Sequence, residues 1–237
     1  MQLYFTYKIE NNYAFLDEEE MQHAVKTLRK KQGDRLHLMD GKGNFYEAEI
    51  SEIAKREVKL RILSTKPTVL PWNFDLHLAV APTKNADRLE WMLEKVVEMG
   101  INSYTPLLCR HSERKQLRVD RLEKIAMAAA KQSQKSILPK INELTDFEKF
   151  VRSCNADQRY IAHCQSDDLE PLRNAFKFSP GTSVLVLIGP EGDFSPEEVA
   201  LAVSLGFKAV GLGKSRLRTE TAGIAACHTL QLFGDIG

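Results

Sequence analysis

The feature that most constrains this chain is an apolar segment that ends abruptly in a glycine-rich turn. Val184–Ile188 is an unbroken apolar run, rich in β-branched residues, which is typical of a strand buried on both faces. It stops at Gly189–Gly192, where glycine permits positive φ and close backbone approach, and proline removes a donor. Ser195 then predicts a helix N-cap, with Pro196 at the first helical position and Glu198 completing a capping box.

A second segment repeats this order closer to the end of the chain. Ala209–Gly213 indicates a short strand, and Lys214–Arg218 follows as a basic loop. Thr219–Ala222 then leads into a helix of small residues at Gly223–Leu230. Because ligands bind at the carboxyl ends of the strands in open α/β sheets, the two loops predict one shared pocket. The alternative for each loop, taken alone, is an ordinary turn.

The chain divides near residue 70 into halves of different class. Residues 1–66 indicate a small β-rich unit, with a short helix opened by acids at Asp17–Glu20 and a tight turn at Asp40-Gly41. Closely spaced strands of this kind favour a small barrel, and Ser64–Pro71 is the expected linker. The strands predicted for this unit are Arg35–Met39, Asn44–Ile50 and Glu57–Leu63.

In the second half, strands alternate with long helices, which indicates a parallel sheet. Pro106 is expected to break the second of these strands, and Arg152–Asn155 is expected to be a loop. Asn85–Gly100 is an amphipathic helix whose apolar stripe also accommodates Trp91. The predicted strands are Asp75–Pro82, Ile101–Leu108, Gln158–Gln165 and the Val184 strand, and the other long helix is Arg121–Lys135.

Composition excludes several classes of protein. The net charge is +1, so that a nucleic-acid partner requires local basic patches. The four cysteines form no C-x-x-C pair, and the six histidines form no i, i+4 pair, so no metal site is expected. No apolar stretch is long enough for a membrane span and the start does not resemble a signal peptide, which makes the cytoplasm the expected location. The Val80–Lys84 turn has no G-x-G-x-x-G, which argues against a dinucleotide-binding enzyme.

Two basic clusters are candidate RNA contacts. Residues 21–35 hold five basic side chains against Asp34 alone, and the alternative there is a solvated helix end. Cys109–Lys140 has nine basic and three acidic residues, and the alternative there is a solubilising loop. Arginine grips phosphate with two hydrogen bonds and stacks on unpaired bases, which favours RNA for this second cluster.

Several motifs together resemble one family. Ile188–Phe194, Leu212-Gly213 and Leu217–Ala222 closely resemble the RsmE family, whose members are ribosomal RNA uridine N3-methyltransferases of the SPOUT class. The likeness extends along the chain through a longer series of motifs. They are His23, Leu28-Arg29, Gly33-Asp34, Asp40-Gly41, Glu94-Lys95, Glu98, Gly100, Pro106-Leu107, Arg110, Ser112, Arg114 and Phe233–Asp235.

The resemblance implies an α/β fold with two domains. Residues 1–70 are expected to form a PUA-like RNA-binding β-barrel. Residues 71–237 are expected to form a SPOUT methyltransferase domain, a trefoil-knotted parallel sheet with helices on both faces. The expected activity is S-adenosylmethionine-dependent methylation of N3 of a specific uridine in 16S ribosomal RNA. Other RNA targets (tRNA or a ribose 2′-hydroxyl) and a non-catalytic ribosome-associated RNA-binding protein are the alternatives.

The resemblance also implies the site residues. The expected substrate is 16S ribosomal RNA or the assembled small ribosomal subunit, and a homodimer is expected, with no metal and no membrane partner. Arg218 and Arg110 are candidates to stabilise the developing charge on the base, and Glu220 to orient an arginine or accept the proton. The alternatives are a salt bridge for Arg218 and a helix cap for Glu220. The expected cofactor-binding residues are Ile188, Gly189, Pro190, Glu191, Gly192, Gly211, Leu212, Gly213, Leu217, Arg218, Thr219, Glu220, Thr221 and Ala222. The expected RNA-binding residues are His23, Arg29, Lys84, Arg88, Arg110 and Arg114.

The chain departs from the family pattern at three places. Lys131–Lys135 reads Lys-Gln-Ser-Gln-Lys where many members have Glu-Gln-Ser-Gly-Arg. Ser215–Arg218 reads Ser-Arg-Leu-Arg where Arg-Ile-Leu-Arg is usual, and Asp193 stands where glycine is usual. These changes leave the cofactor loops largely intact, but they bring into question any role assigned to the missing acid or to the first arginine of the second loop.

Overall fold

The computed structural model describes residues 2–68 and 73–234. The chain forms two compact units: the first unit is Met1–Val69 with Met127–Leu138, and the second unit is Leu70–Ala126 with Pro139–Gly237. The expected boundary at residue 70, and the part of the expected linker at 69–71, lie outside the described residues. The division into 1–70 and 71–237 therefore stays a prediction, and the structure adds Met127–Leu138 to the first unit.

The first unit is built on a six-stranded sheet in the order β1-β4-β5-β6-β3-β2. Its strands are β1 Leu3–Phe5, β2 Lys8–Glu10, β3 Tyr13–Leu16, β4 Arg35–Met39, β5 Asn44–Ile53 and β6 Val58–Pro67. The three predicted strands are confirmed, but β6 runs on through Pro67, so the first part of the expected linker is strand. β1 pairs with β4 in parallel, and the other pairings are antiparallel.

A short helix and an apolar core complete the N-terminal part of this unit. α1, Glu18–Met21, is capped by the Asp17 side chain, which accepts from the Glu20 N–H, and a π-helical turn follows at Gln22–Thr27. Alternate residues of the strands point into one apolar core because side chains alternate across a sheet. That core comprises Tyr4, Ala14, Leu16, Met21, Ala24, Leu36, Leu38, Tyr46, Ala48, Ile50, Val58, Leu60 and Ile62.

Met127–Leu138 belongs to the first unit through hydrogen bonds to the turn between β4 and β5. The Leu138 N–H donates to the Gly41 carbonyl at 3.0 Å, and the Gly43 N–H donates to the Ser136 carbonyl at 3.0 Å. A Cβ at Gly41, where φ is +70°, would lie 2.7 Å from Leu138 Cδ1. The turn therefore requires glycine at position 41 for two reasons, its backbone conformation and the closeness of Leu138.

Two departures from the family pattern have structural explanations in this segment. Lys131 Nζ forms an ion pair with the carboxylate of Glu20, which is 7% exposed, so that an acid at position 131 would face another acid. Gln134, which stands where the family usually has glycine, has φ of +54°. Glycine adopts that conformation without steric cost, which explains why it is usual there.

The second unit is an all-parallel seven-stranded sheet in the order β10-β8-β7-β12-β11-β13, with β9 also paired to β8. The strands are β7 Phe74–Val80, β8 Ser103–Leu108, β9 Lys140–Ile141, β10 Thr145–Asp146, β11 Gln158–Ala162, β12 Thr182–Ile188 and β13 Lys208–Val210. The helices are α2 Ala86–Met99, α3 Val119–Gln132 (which ends in the first unit), α4 Phe147–Ser153, α5 Leu172–Ala175, α6 Pro196–Ser204 and α7 Thr219–Gly234. This confirms the predicted parallel α/β class.

Three local predictions were wrong. Pro106 does not break β8, because it lies between the residues that pair with β9 and those that pair with β10. Part of the expected loop at Arg152–Asn155 is helical, because α4 begins at the Asp146 N-cap and runs to Ser153. α7 begins at Thr219 rather than Gly223, so that the expected lead-in is its first turn.

Helices cover both faces of this sheet. On one face, Ala79 and Leu187 pack with Phe150 of α4 and Ala202 of α6. On the other face, α7 packs on β7 and β12 and against α2. A Cβ at Gly223 would lie 2.6 Å from Met92 Sδ, so glycine lets α7 approach α2 closely. Among the helices of residues 2–68 and 73–234, none has the length and apolar character that a membrane crossing requires.

Candidate functional site at the carboxyl edge of the parallel sheet

The first glycine-rich loop is held by a capped helix and a compact turn. The Ser195 side chain accepts from the Glu198 N–H while the Glu198 carboxylate accepts from the Ser195 N–H, which confirms the predicted capping box. Within the loop, the Asp193 N–H donates to the Pro190 carbonyl at 2.9 Å. The loop is therefore fixed at both ends before any ligand binds.

Asp193 has the backbone conformation that explains why glycine is usual at its position. Its φ is +63°, in the left-handed region that aspartate tolerates better than most residues. Its carboxylate accepts hydrogen bonds from the Cys164 N–H at 2.9 Å and from its neighbour's N–H, that of Phe194, at 2.8 Å. The substitution thus joins the first loop to the segment that follows β11.

The two predicted loops do meet, although their strands are not neighbours. β11 lies between β12 and β13 in the sheet. The contact comes from the start of α7, where the buried Thr219 hydroxyl donates to the Gly189 carbonyl at 3.1 Å. A Cβ at Gly189 would lie 3.0 Å from the Phe194 backbone nitrogen, so the loop closes tightly only with glycine there.

The second loop is supported from another part of the chain. Gly211 donates its N–H to the Glu170 carbonyl, and its own carbonyl accepts from the Leu172 N–H at 2.9 Å. Beyond it, Leu212 and Leu217 are half-buried and Gly213 has φ of +127°. The loop therefore presents partly exposed apolar side chains and an open backbone next to the first loop.

A cavity of about 500 Å³ opens between the first turns of α2 and α7. Its lining comprises Asp87, Arg88, Trp91, Arg218, Glu220 and Thr221. Glu220 is 6% exposed, and its Oε2 atom has no hydrogen-bond partner among the described residues. Arg88 forms an ion pair with it, with Nε 3.8 Å from Glu220 Oε1. A buried carboxylate with one unused oxygen, in a cavity that Arg88 and Arg218 also line, is a candidate proton acceptor or hydrogen-bond acceptor.

Two of the three predicted catalytic residues line the cavity, and Arg110 is not among its lining residues. Arg218 and Glu220 line the same cavity. Arg110 is engaged elsewhere: its Nη1 lies 3.1 Å from Glu197 Oε2, and its N–H donates to Glu198 Oε1 at 2.8 Å. Burial raises the pKa of the neighbouring Cys109 thiol, which therefore stays protonated and is not a nucleophile.

The predicted RNA-binding residues of the second unit take part in contacts within the protein. Arg114 donates to the Thr83 and Lys84 carbonyls at 3.1 and 2.7 Å. The Lys84 N–H donates to Glu191 Oε1, and the hydrogen bond from its ammonium to Glu113 raises the pKa of Lys84. These bonds connect the ends of β7, β8 and β12 into one edge, where the Lys84 ammonium keeps its positive charge.

The two predicted RNA-binding residues of the first unit lie close together along the chain. His23 Nε2 is 2.6 Å from Gln2 Nε2, and its ring centroid is 5.9 Å from that of Tyr4. Arg29 is exposed and has φ of +55°. In residues 2–68 and 73–234, no three or more His, Cys, Asp or Glu side chains form a cluster that could bind a metal ion.

Sequence reasoning missed Asp87 and Trp91 as lining residues. Trp91 was assigned to the apolar stripe of α2, yet its side chain is 49% exposed while Leu89, Met92 and Leu93 are buried. The helical period carries the signal, because positions 87, 88 and 91 share one face beside the stripe. An aromatic residue on that face indicates a surface function rather than the core.

Family models match both parts of the chain. The model described as RNA methyltransferase domain matches residues 70–231, and the model described as RNA methyltransferase PUA domain matches residues 16–63. A protein of Buchnera aphidicola named ribosomal RNA small subunit methyltransferase E is 29% identical over 95% of this chain and 90% of its own length. The protein of the same name from Bacillus subtilis is 25% identical over 90% of this chain and 87% of its own length.

Solved structures share the fold along nearly the whole chain. The crystal structure of a probable rRNA-methyltransferase from Porphyromonas gingivalis is 38% identical, with a TM-score of 0.89 over 98% of this chain and 99% of that one. A putative methyltransferase from Legionella pneumophila, solved with bound S-adenosylmethionine, is 28% identical, with a TM-score of 0.87 over 98% of this chain and 97% of that one.

Proposed function

The chain belongs to the RNA methyltransferase family, and on that premise we propose that it methylates N3 of a uridine in 16S ribosomal RNA, with S-adenosylmethionine as methyl donor. The observation that carries the proposal is the bond from Thr219 to the Gly189 carbonyl, which unites the two glycine-bearing loops. Similarity to proteins named ribosomal RNA small subunit methyltransferase E, along most of the chain, supports the substrate class.

The residues of the two loops fit the proposed cofactor. Gly189 permits a close turn that a Cβ would fill, and open space surrounds Gly213. Backbone groups of Ile188–Gly192 and Gly211–Ala222 are suited to bind the adenine edges, with Leu212 and Leu217 flanking the ring. The bound cofactor supplies an electrophilic methyl group on a sulfonium. The loops position it and exclude water, which are the main contributions to such a transfer.

We propose distinct roles for the cavity residues and for Arg110. Glu220 accepts the N3 proton of the uracil, because its carboxylate is buried and one oxygen has no hydrogen-bond partner in residues 2–68 and 73–234. Arg218 donates to a carbonyl oxygen of the base and stabilises the charge that develops when the proton leaves. Arg110 is the second candidate for this role, and its ion pair with the exposed Glu197 would have to open first.

The RNA is held by positive side chains of both units in this proposal. Lys84, Arg88 and Arg114 lie on or beside the carboxyl edge of the parallel sheet, where phosphates of the substrate would approach. His23 and Arg29 serve the same purpose on the PUA-like unit. The substrate is either 16S ribosomal RNA or the assembled small subunit, which places the activity in the cytoplasm.

Two finer features of the fold belong to the same proposal. The loops between β12 and α7 form a trefoil knot of the SPOUT type, and two copies of the chain associate as a homodimer. The small residues Ala222, Ala225 and Ala226 of α7 favour close helix packing, which suits a dimer as well as the monomer core. A sedimentation mass of a single chain at micromolar concentration would contradict the dimer.

The test is nucleoside mass spectrometry of ribosomal RNA from cells lacking the gene. We expect 3-methyluridine to disappear from the small-subunit RNA and to return with a plasmid-borne copy. Purified protein, the methyl donor and either naked RNA or small subunits then identify the substrate form. Persistence of 3-methyluridine would refute the proposed activity. Loss of a 2′-O-methylated nucleoside or of a tRNA modification would assign the enzyme to the alternative targets.

A further inference from the structure

We propose that the cavity between α2 and α7 binds the target uracil itself, with the Trp91 indole as the surface on which the base stacks; this rests on the proposed function. Trp91 is 49% exposed and lines the cavity opposite the first turn of α7. Aromatic side chains bind unpaired bases by stacking, because every base has a π-face. The cavity volume of about 500 Å³ is within the range of small-molecule sites.

Glu220 gives the cavity its preference among bases. An ionised carboxylate only accepts hydrogen bonds, so its unpartnered Oε2 is suited to an N–H group of a ligand. Uracil presents an N–H at position N3, whereas cytosine presents a lone pair there and would be repelled. The acid therefore selects uracil over cytosine by the same contact that accepts the proton.

The two arginines complete this arrangement. Arg88 Nε lies 3.8 Å from Glu220 Oε1, and the second oxygen, Oε2, has no hydrogen-bond partner among the described residues. Arg218 lines the cavity and is exposed, so its guanidinium is free to donate to a uracil carbonyl or to the phosphate of the same nucleotide. An aromatic face, an acceptor and two donors thus line one open cavity.

The position of the cavity relative to the cofactor loops supports a base rather than the methyl donor. Thr219, which precedes Glu220, is the residue bonded to the Gly189 carbonyl. The acid is therefore one residue away from the contact between the two loops. The first loop, Gly189–Gly192, contributes nothing to the cavity lining among the described residues, whereas the donor is expected to contact both loops.

A kinetic experiment tests Trp91 in the full-length protein. We expect Trp91→Ala to lower kcat/KM for the RNA substrate about tenfold, with the affinity for S-adenosylmethionine unchanged. Trp91→Phe, which keeps an aromatic face, should stay within about threefold of the wild type. Unchanged kcat/KM in Trp91→Ala would overturn the proposal. Weaker binding of S-adenosylmethionine to Trp91→Ala in calorimetry would also overturn it, because the cavity would then belong to the cofactor. Dissociation of the homodimer in sedimentation would overturn it too, because the cavity would then belong to the contact with a second chain.

Fluorescence separates failure of this inference from failure of the proposed function. The chain has two tryptophans, so a Trp72→Phe variant reports on Trp91 alone. We expect an oligouridylate to quench this fluorescence more strongly than an oligocytidylate of equal length. Quenching by uridine without methylation would refute the proposed activity and retain the base site. Methylation without uridine-selective quenching would refute the base site and retain the activity.

Discussion

Each of the two units buries one glutamate, and the two are treated in opposite ways. Glu20 and Glu220 are the acids buried in residues 2–68 and 73–234, at 7% and 6% exposure, and each has an Oε2 atom without a hydrogen-bond partner in that part of the chain. Glu20 is in direct contact with Lys131. Glu220 is paired with Arg88 among the described residues, with 3.8 Å between the nearest atoms, and it lines a cavity.

The difference teaches how to distinguish a structural buried charge from a functional one. A buried ion pair is maintained by its own partner, and its removal leaves an unpaired charge. A buried carboxylate that faces open space and has only a loose cation keeps an oxygen available for a ligand. We therefore expect changes at Glu20 and Lys131 to affect stability, and changes at Glu220 and Arg88 to affect catalysis.

The largest effect is expected for Glu220→Gln. The amide cannot accept the N3 proton, and loss of a general base lowers kcat by about 100-fold or more. The measurement is single-turnover methylation with saturating RNA. Glu20→Gln is the matched control and should keep nearly full activity. If the two variants lost activity equally, the proposed distinction between the glutamates would be wrong.

Lys131→Met should be the most destabilising of these changes. It leaves Glu20 buried opposite an apolar side chain, and breaking a buried pair costs about 3 kcal/mol at neutral pH. Urea unfolding followed by circular dichroism measures the loss. The double variant with Glu20→Gln should recover most of it, because both charges are then absent. Equal instability of the single and double variants would show that the unpaired charge of Glu20 is not the cause.

Arg88→Gln sharpens the same comparison on the catalytic side. Removing the loose cation leaves Glu220 less well oriented, and we expect kcat to fall about tenfold, a change of about 1.4 kcal/mol in the barrier. Affinity for S-adenosylmethionine should not change. The control is Arg121→Gln. Arg121 lies on α3, and this change breaks its ion pair with Glu90, which lies on α2 like Arg88. Equal loss in the two variants would indicate a general effect on α2.

The smallest effect is a pH dependence of stability that belongs to Glu20. Burial raises the pKa of Glu20 above its ordinary value of 4.5, and this outweighs the lowering by Lys131. When folding raises the pKa of an acid, the acid's contribution to stability is complete at pH values below its pKa in the unfolded chain. That contribution is lost as the pH rises through its pKa in the folded protein. The stability of the wild type minus that of Glu20→Gln should therefore fall from pH 4 to pH 7. A difference that rises with pH would contradict this sign.

Local sequence signals determined which parts of the site were predictable. The Ser195–Glu198 capping box depends on four consecutive residues and was confirmed. The start of α7 at Thr219 was missed, because Thr219 and Thr221 have weak helix propensity and the turn is held by the bond to Gly189. That bond joins residues 30 positions apart, and no local pattern reports it.

Contacts between distant residues were beyond sequence reasoning. Glu20 and Lys131 are 111 positions apart in the chain. The sequence therefore gives no reason for a lysine at position 131, where the family pattern has an acid. Gln134 and Asp193 were likewise unexplained until their positive φ values showed why glycine is usual there. Both positions adopt a positive φ, and the residue type alone does not reveal this conformation.

The membership of Met127–Leu138 in the first unit has a consequence for biosynthesis. A ribosome delivers the chain from the N-terminus, so all six strands of this unit emerge well before the segment that bonds to Gly41 and Gly43. During translation of the intervening residues, Glu20 is without its lysine and the Gly41 turn is without Leu138. The nascent N-terminal unit therefore has to wait for about half of the enzyme to be synthesised before its fold is complete.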